Sequence, residues 1–135
     1  MGTVVIDAGV MIAILDAANV HHAAARDAVI ELGQSADLVL PASAYSELMV
    51  HPQADGPEEV ALADAFIGSL PARVESIDRT VALAAADLRA RFGRALRLPD
   101  ALVLGTAVAL RADLVLTTDA HWPETGVATR VVAGF

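Results

Sequence analysis

Four carboxylates stand where chain geometry tends to collect reactive groups. Asp7 ends the apolar run Val4-Val5-Ile6, and Asp119 ends "LVLTTD". Asp100 opens the segment "PDALVLGTAVAL", and Glu47 lies within "SAYSELMV". In open parallel sheets covered by helices, ligands bind beyond the C-terminal ends of the strands. Two strand-end acids and two helix acids converge on one such crevice if the first and fourth strands are neighbours. Clustered carboxylates repel one another and do not all stay ionised without a cation. Oxygen donors in a chain with no Cys suit Mg²⁺ or Mn²⁺ rather than zinc. Such a centre hydrolyses phosphodiesters well: it lowers the pKa of a water and offsets charge on phosphate oxygens.

Each acid also has an ordinary structural use. Asp7 can cap the helix that follows it, Asp119 can close an Asx-turn, and Asp100 can answer a helix dipole. Glu47 is harder to dismiss, because Ala44, Tyr45, Leu48, Met49 and Val50 surround it and no basic residue is near it in sequence. The histidines His21, His22, His51 and His121 show no zinc-binding spacing. The first three read as surface or helix-end residues, and His121 as at most a minor member of a site at Asp119. The chain has neither a G-x-S-x-G nor a G-x-G-x-x-G, and it contains no Lys at all. Nucleophile-elbow, dinucleotide, P-loop and Schiff-base chemistries are therefore unsupported.

The elements that must position these acids alternate regularly. Strand signals fall at Thr3–Ile6, Leu38–Leu40, Val74–Ile77, Leu114–Thr117 and Arg130–Val132. They are short and mostly apolar on both faces, as in a covered parallel sheet. Helical signals fill the gaps at Val10–Asp16, His21–Leu32, Ala44–Val50, Pro57–Leu70, Asp78–Phe92 and Pro99–Ala112. Pro57 and Pro99 sit at helix starts with acids beside them, Asp78 is a candidate cap, and Gly93 a candidate stop. Pro52 should end the third helix, and residues 53–57 read as the most mobile loop. Strands alternating with helices imply an α/β sandwich with right-handed crossovers.

The 135 residues, 56% hydrophobic and 19% charged, are expected to form one domain over 1–135 with a real core. The net charge of −8 argues against a general nucleic-acid binder, but it is unevenly spread. Residues 1–72 hold ten acids and only Arg26, giving −9, whereas residues 73–135 hold seven acids and eight Arg, giving +1. Arg89, Arg91, Arg94 and Arg97 lie just upstream of Asp100, so a local basic lip can coexist with an acidic chain. No basic n-region precedes Asp7, which interrupts any signal-peptide core. The longest apolar run, Ala101 to Leu110, is well short of the ~20 residues of a membrane span. A soluble, cytoplasmic protein is expected.

Taken together, "VVIDAGVMIAIL", "LPASAYSELMV", "LPDALVLGTAVAL" and "LVLTTDAHW" resemble the PIN domain, specifically the VapC-type toxins of bacterial toxin–antitoxin pairs. Their order and spacing carry the resemblance from end to end. It implies a three-layer α/β/α sandwich with a five-stranded parallel sheet and an acidic Mg²⁺ (or Mn²⁺) site. Asp7 matches the first acid, Glu47 the helix acid, Asp100 the third and Asp119 the fourth. Thr117 matches a hydroxyl often placed two residues before that fourth acid. One departure stands out: the family usually follows its first Asp with Thr or Ser and then Ser or Asn, whereas Ala8 and Gly9 stand here. A hydrogen bond that orients a ligand is then expected to be missing.

The activity implied is metal-dependent endoribonuclease, the toxin half of a type II toxin–antitoxin pair, acting on structured RNA of the tRNA or rRNA class. Asp7 and Asp100 would be central ligands, with Glu47 and Asp119 completing the shell directly or through waters. Arg89, Arg91, Arg94 or Arg97 could guide the RNA backbone, although a solvated helix face is the better account of most of them. The resemblance further implies a small cognate antitoxin that covers the site, often with a basic side chain among the carboxylates, and a homodimer. Two rivals stand beside this reading. One is a non-catalytic PIN-like module that binds RNA or protein. The other is a small-molecule phosphohydrolase with a strand-end Asp nucleophile, which lacks its second acid because position 9 is Gly.

Overall fold

The computed structural model describes residues 2–134. Five strands, β1 (Thr3–Ile6), β2 (Asp37–Pro41), β3 (Ala72–Glu75), β4 (Leu114–Thr117) and β5 (Thr129–Val131), form one sheet in the order β3-β2-β1-β4-β5. Every pairing is parallel, with Val5 opposite Val39 on one side and Val115 on the other. Seven α-helices connect the strands among the described residues. They are α1 (Ala8–Leu15), α2 (His22–Gly33), α3 (Ala42–Leu48), α4 (Val50–Asp55), α5 (Pro57–Ser69), α6 (Arg79–Phe92) and α7 (Leu98–Leu110), with a 3₁₀ turn at Gly93–Ala95.

Strand order runs outward from β1 through β2 to β3 and then restarts at β4 on the other side of β1. Right-handed crossovers put the helices of the first run on one face of the sheet and those of the second on the other. The result is the three-layer α/β/α sandwich. The reversal between β1 and β4 is a topological switch point, where a crevice opens beyond the strand ends. Burial explains why the central strands are so apolar: Val4, Val5, Ile6, Leu38, Val39, Leu40, Val115 and Leu116 are all essentially inaccessible.

Helix ends follow local chemistry. The Asp78 carboxylate accepts from Val81 N–H at 2.9 Å and caps α6, which Gly93 closes at φ +56°. Pro99 lies in the first turn of α7, where its missing N–H costs nothing, and Asp100 joins it there. In the middle of α7, Gly105 lies against the α6 backbone: a Cβ there would stand 2.9 Å from Ala85 N and 3.0 Å from Val81 O. This close approach locks α7, and with it Asp100, against α6.

Three expectations are corrected. Pro52 does not end a helix: it lies in the first turn of α4, where no intrahelical N–H is required of it. Residues 53–57 are consequently the end of α4 and the start of α5, joined at Gly56 with φ +126°, rather than a loop. The edge strands are not apolar on both faces. β3 begins two residues earlier than the hydrophobic run 74–77, and Val74 and Val131 are 46% and 43% exposed. An edge strand has a neighbour on one side only, so its side chains are less covered. Among the described residues no helix is long and apolar enough to cross a membrane.

Because the Gly105 contact is with backbone, it cannot be relieved by a rotamer change. Gly105→Val is expected to cost about 3 kcal/mol of stability by overpacking. Gly105→Ala should cost less, since about 1 kcal/mol of helix propensity is recovered. Urea unfolding of the three proteins measures this, and equal midpoints would show that α6 and α7 are not locked here.

Candidate functional site

The site is built at the switch point. Asp7 follows β1 directly, its N–H donating to Leu116 O of β4 at 2.9 Å. Its carboxylate is held at both ends: Oδ1 accepts from Ala8 N–H at 2.8 Å and Oδ2 accepts from the Thr117 hydroxyl at 2.8 Å. Thr117 Oγ1 in turn accepts from Asp119 N–H at 3.0 Å. The hydroxyl oxygen is thus occupied by one donor and its proton is directed at Asp7. This 1%-exposed threonine fixes the first strand end to the fourth and orients two acids at once. Asp119 forms the expected Asx-turn, its Oδ1 accepting from His121 N–H at 2.7 Å, while the His121 ring projects into solvent.

Asp100 comes from the first turn of α7 and Glu47 from α3. Asp7, Glu47 and Asp100 are each shifted by burial and by a neighbouring acid. Burial raises the Asp7 carboxyl from its ordinary 3.8 to about 6, opposed by the bonds from Thr117 and Ala8 and assisted by Asp100 and Glu47. Burial also raises Asp100, with the Asp119 charge adding to it, and Arg97 and Trp122 pulling the other way. Glu47 is raised by burial and then by Asp100, and Arg97 lowers it. Glu47 is nonetheless exposed on the solvent side of α3, with Leu48 and Met49 taking the buried positions. The partner missing from its sequence neighbourhood is Arg97, which the fold brings from the start of α7.

Of the four arginines, Arg97 is the one that reaches the acids electrostatically. Arg89 Nε donates to Leu96 O at 3.3 Å, and Arg91 pairs with Asp87 at 3.1 Å while lying over the Phe92 ring. These two serve the α6 surface and the turn after it. Arg94 lies exposed on the 3₁₀ turn. The absence of a hydroxyl at position 9 has a steric counterpart. A Cβ on Gly9 would fall on Thr118 Oγ1, well inside contact distance, so Thr118 occupies the space that a side chain at 9 would need.

Three residues escaped the sequence reading. Ser43 stands one turn before Glu47 on α3, and its Oγ is buried without a hydrogen-bond partner. The Trp122 Nε1 is likewise buried and unpartnered by normal hydrogen-bond geometry, although it lies near enough to Asp100 to favour its charged form. Thr118 is the third. The spacing Ser43–Glu47 was a usable signal, since residues four apart share a helix face. A groove of about 710 Å³ lies elsewhere: Ile12 and Leu15 of α1, Leu62 and Phe66 of α5, and Asp55 and Glu59 line it.

The donor set fits a hard divalent cation: carboxylate oxygens, two of them at helix N-termini and three of the acids pushed toward protonation by burial and mutual repulsion. Among the described residues, no three His, Cys, Asp or Glu side chains gather tightly enough to enclose an ion by themselves.

A parallel α/β/α sandwich with strand-end acids at its switch point defines a class, and the comparisons with known proteins give its family. The PIN domain family model matches residues 4–128: the chain belongs to the PIN domain family. No curated protein matches the chain in sequence. Among solved structures, it is similar to a chain of VapBC2 from Rickettsia felis bound to a promoter DNA fragment. There the TM-score is 0.80 at 10% identity, covering 96% of this chain and 98% of that one. A toxin–antitoxin complex from Klebsiella pneumoniae gives a TM-score of 0.78 at 17% identity, covering 98% and 99%. Mycobacterium tuberculosis VapC20, a sarcin–ricin loop cleaving toxin, gives 0.64 at 17% identity, covering 83% and 86%. The five-stranded fold and the PIN resemblance expected from sequence are thereby established.

The raised Asp7 pKa has a stability consequence. Between pH 4 and pH 6 the folded chain holds a proton on Asp7 that the unfolded chain has released, so folding weakens as pH rises through this window. Above pH 6 the full penalty applies, at most about 3 kcal/mol for a shift of roughly two units. Asp7→Asn is therefore expected to raise the metal-free melting temperature at pH 7.5, with the gain disappearing near pH 4. A melting series across pH checks this, and a gain that persists unchanged at pH 4 would contradict the assignment.

Proposed function

We propose that this protein is a divalent-metal-dependent endoribonuclease and the toxin of a type II toxin–antitoxin pair. The observation that carries the reading is the shared electrostatics of Asp7, Glu47, Asp100 and Asp119 at the switch point of a PIN sandwich. Asp7 and Asp100 would hold Mg²⁺ or Mn²⁺ as central ligands, and Glu47 and Asp119 would complete the shell directly or through waters. When bound, the ion supplies an acidified water and charge compensation for the phosphate oxygens. Thr117 keeps one Asp7 oxygen turned toward β4 and so fixes the direction of the carboxylate. Arg97, already beside Glu47 and Asp100, draws a phosphodiester to the edge of the crevice. Structured RNA of the tRNA or rRNA class is the proposed substrate, recognised by shape.

The partner reading draws on the groove between α1 and α5. Its apolar walls and its acidic rim of Asp16, Asp55 and Glu59 suit an amphipathic, basic segment of an antitoxin. Exposed Leu62, Leu83, Leu98 and Val108 support a chain that covers surface against partners, a second copy included. The cytoplasm is the compartment proposed for the pair. A second reading, a non-catalytic PIN-like module for RNA or protein, draws on the open spacing of the carboxylates. Calorimetry with Mn²⁺ separates the two: saturable binding lost in Asp7→Asn supports the nuclease, and none in the wild type supports the module.

The activity test is cleavage of structured RNA in Mg²⁺ or Mn²⁺. Asp7→Asn and Asp100→Asn are each expected to reduce the rate by more than about 100-fold, exceeding the usual effect of losing an outer-shell partner. Chelation should abolish cleavage and ion replacement restore it. Equal cleavage by wild type and both variants would overturn the proposal.

A further inference from the structure

Hydrogen bonding at the site is uneven. Both Asp7 oxygens have donors, and one Asp119 oxygen has its own. Asp100 has no comparable bond, although it is one of the two acids expected to bear most of the work. Trp122 Nε1 is the only buried side-chain nitrogen without a partner among the described residues, and it lies near enough to Asp100 to favour its charged form. An oxygen short of a donor and a donor short of an oxygen meet in one crevice.

We propose that the Trp122 indole N–H is the positioning donor for Asp100, closing onto one carboxylate oxygen and leaving the other turned to the ion. The chemistry of the group suits that task. Indole N–H donates and does not accept, so it bonds the carboxylate without ligating metal. It is neutral, so it orients Asp100 without competing with a cation as Arg97 does. Its ring packs against the core, which makes it a rigid support. The Asx-turn closed by Asp119 and His121 sets Trp122 three residues beyond Asp119. One turn therefore delivers both the fourth acid and the donor for the third.

The metal arm rests on the proposed function, whereas the contact itself does not, and two measurements keep them apart. Trp122 is the only tryptophan, so its indole N–H gives a single ¹H–¹⁵N cross-peak. That cross-peak is expected to move and its proton to exchange faster in Asp100→Ala, and to change much less in Asp100→Asn, which keeps an acceptor. In calorimetry, Trp122→Phe, which keeps the ring and loses the N–H, is expected to bind Mn²⁺ about tenfold more weakly with its circular dichroism unchanged. An indole cross-peak indifferent to Asp100→Ala overturns the inference whatever the metal does. Wild-type Mn²⁺ affinity in Trp122→Phe, with binding lost in Asp7→Asn, overturns the positioning role while leaving the nuclease reading intact. No Mn²⁺ binding in the wild type defeats the nuclease reading and removes the positioning role with it, and the cross-peak alone then decides whether the contact exists.

Discussion

The bond from Thr117 to Asp7 is the constraint on which the rest of the site depends. It joins residues 110 positions apart at 2.8 Å, and it exists because β1 and β4 are paired in register, with Ile6 opposite Leu116. A slip of one residue would turn Thr117 to the other face of the sheet and leave the carboxylate without its donor. The apolar packing of β1 between β2 and β4 is therefore part of the site, since it fixes the register that the acids require. The direction of the bond is fixed too. Asp119 N–H occupies the Thr117 oxygen, so the hydroxyl proton goes to Asp7, and the geometry of two acids is set by one side chain.

That arrangement has an energetic cost, and the fold tolerates it locally. Two hydrogen bonds and a helix N-terminus favour an ionised Asp7, yet burial outweighs them and the carboxyl is raised to about 6. In an ordinary cap, exposure to water would keep the carboxylate comfortably charged. Here the same residue is a cap by geometry and a strained anion by environment. A site that departs from the local optimum while its surroundings obey every packing rule is the pattern expected of function. A cation bound in the crevice would offset the mutual repulsion and favour the ionised form.

Sequence legibility followed the strength of the constraint on each residue. β1 and β4 were readable to their ends because residues buried on both faces must be apolar. β3 and β5 were displaced by a residue or two because an edge strand is held mainly by backbone bonds to one neighbour. Pro52 misled because its effect depends on whether it lies in the first turn or later, which periodicity alone does not reveal. Asp7, Asp100 and Asp119 were readable as strand-end and helix-start acids, because caps and turns place carboxylates there. Trp122, Thr118 and the reach of Arg97 to Glu47 were not readable. Each is a contact between segments distant in the chain, and nothing in its own neighbourhood marks it. The departure at Ala8 and Gly9 is the instructive case: the vacancy at 9 is matched by Thr118 across the switch point, a substitution visible only in three dimensions.

The charge distribution completes the argument. A chain at −8 repels a polyanion at long range, which sits awkwardly with a nucleic-acid substrate until screening is considered. At physiological ionic strength charges beyond about 8 Å are largely screened, so an approaching phosphodiester feels the crevice and its rim rather than the molecule. Most of the negative excess belongs to residues 1–72, whereas the α6–α7 side is close to neutral and carries Arg94 and Arg97. Arg97 acts on Glu47 and Asp100 through its charge and tempers their repulsion, and under the proposed function it would lie where a phosphodiester approaches. The groove between α1 and α5, with its acidic rim, would suit a basic partner on the same reading. Under the proposed function, the Arg97 edge of the crevice would meet the RNA backbone, and the acidic groove rim of Asp16, Asp55 and Glu59 would meet a basic partner.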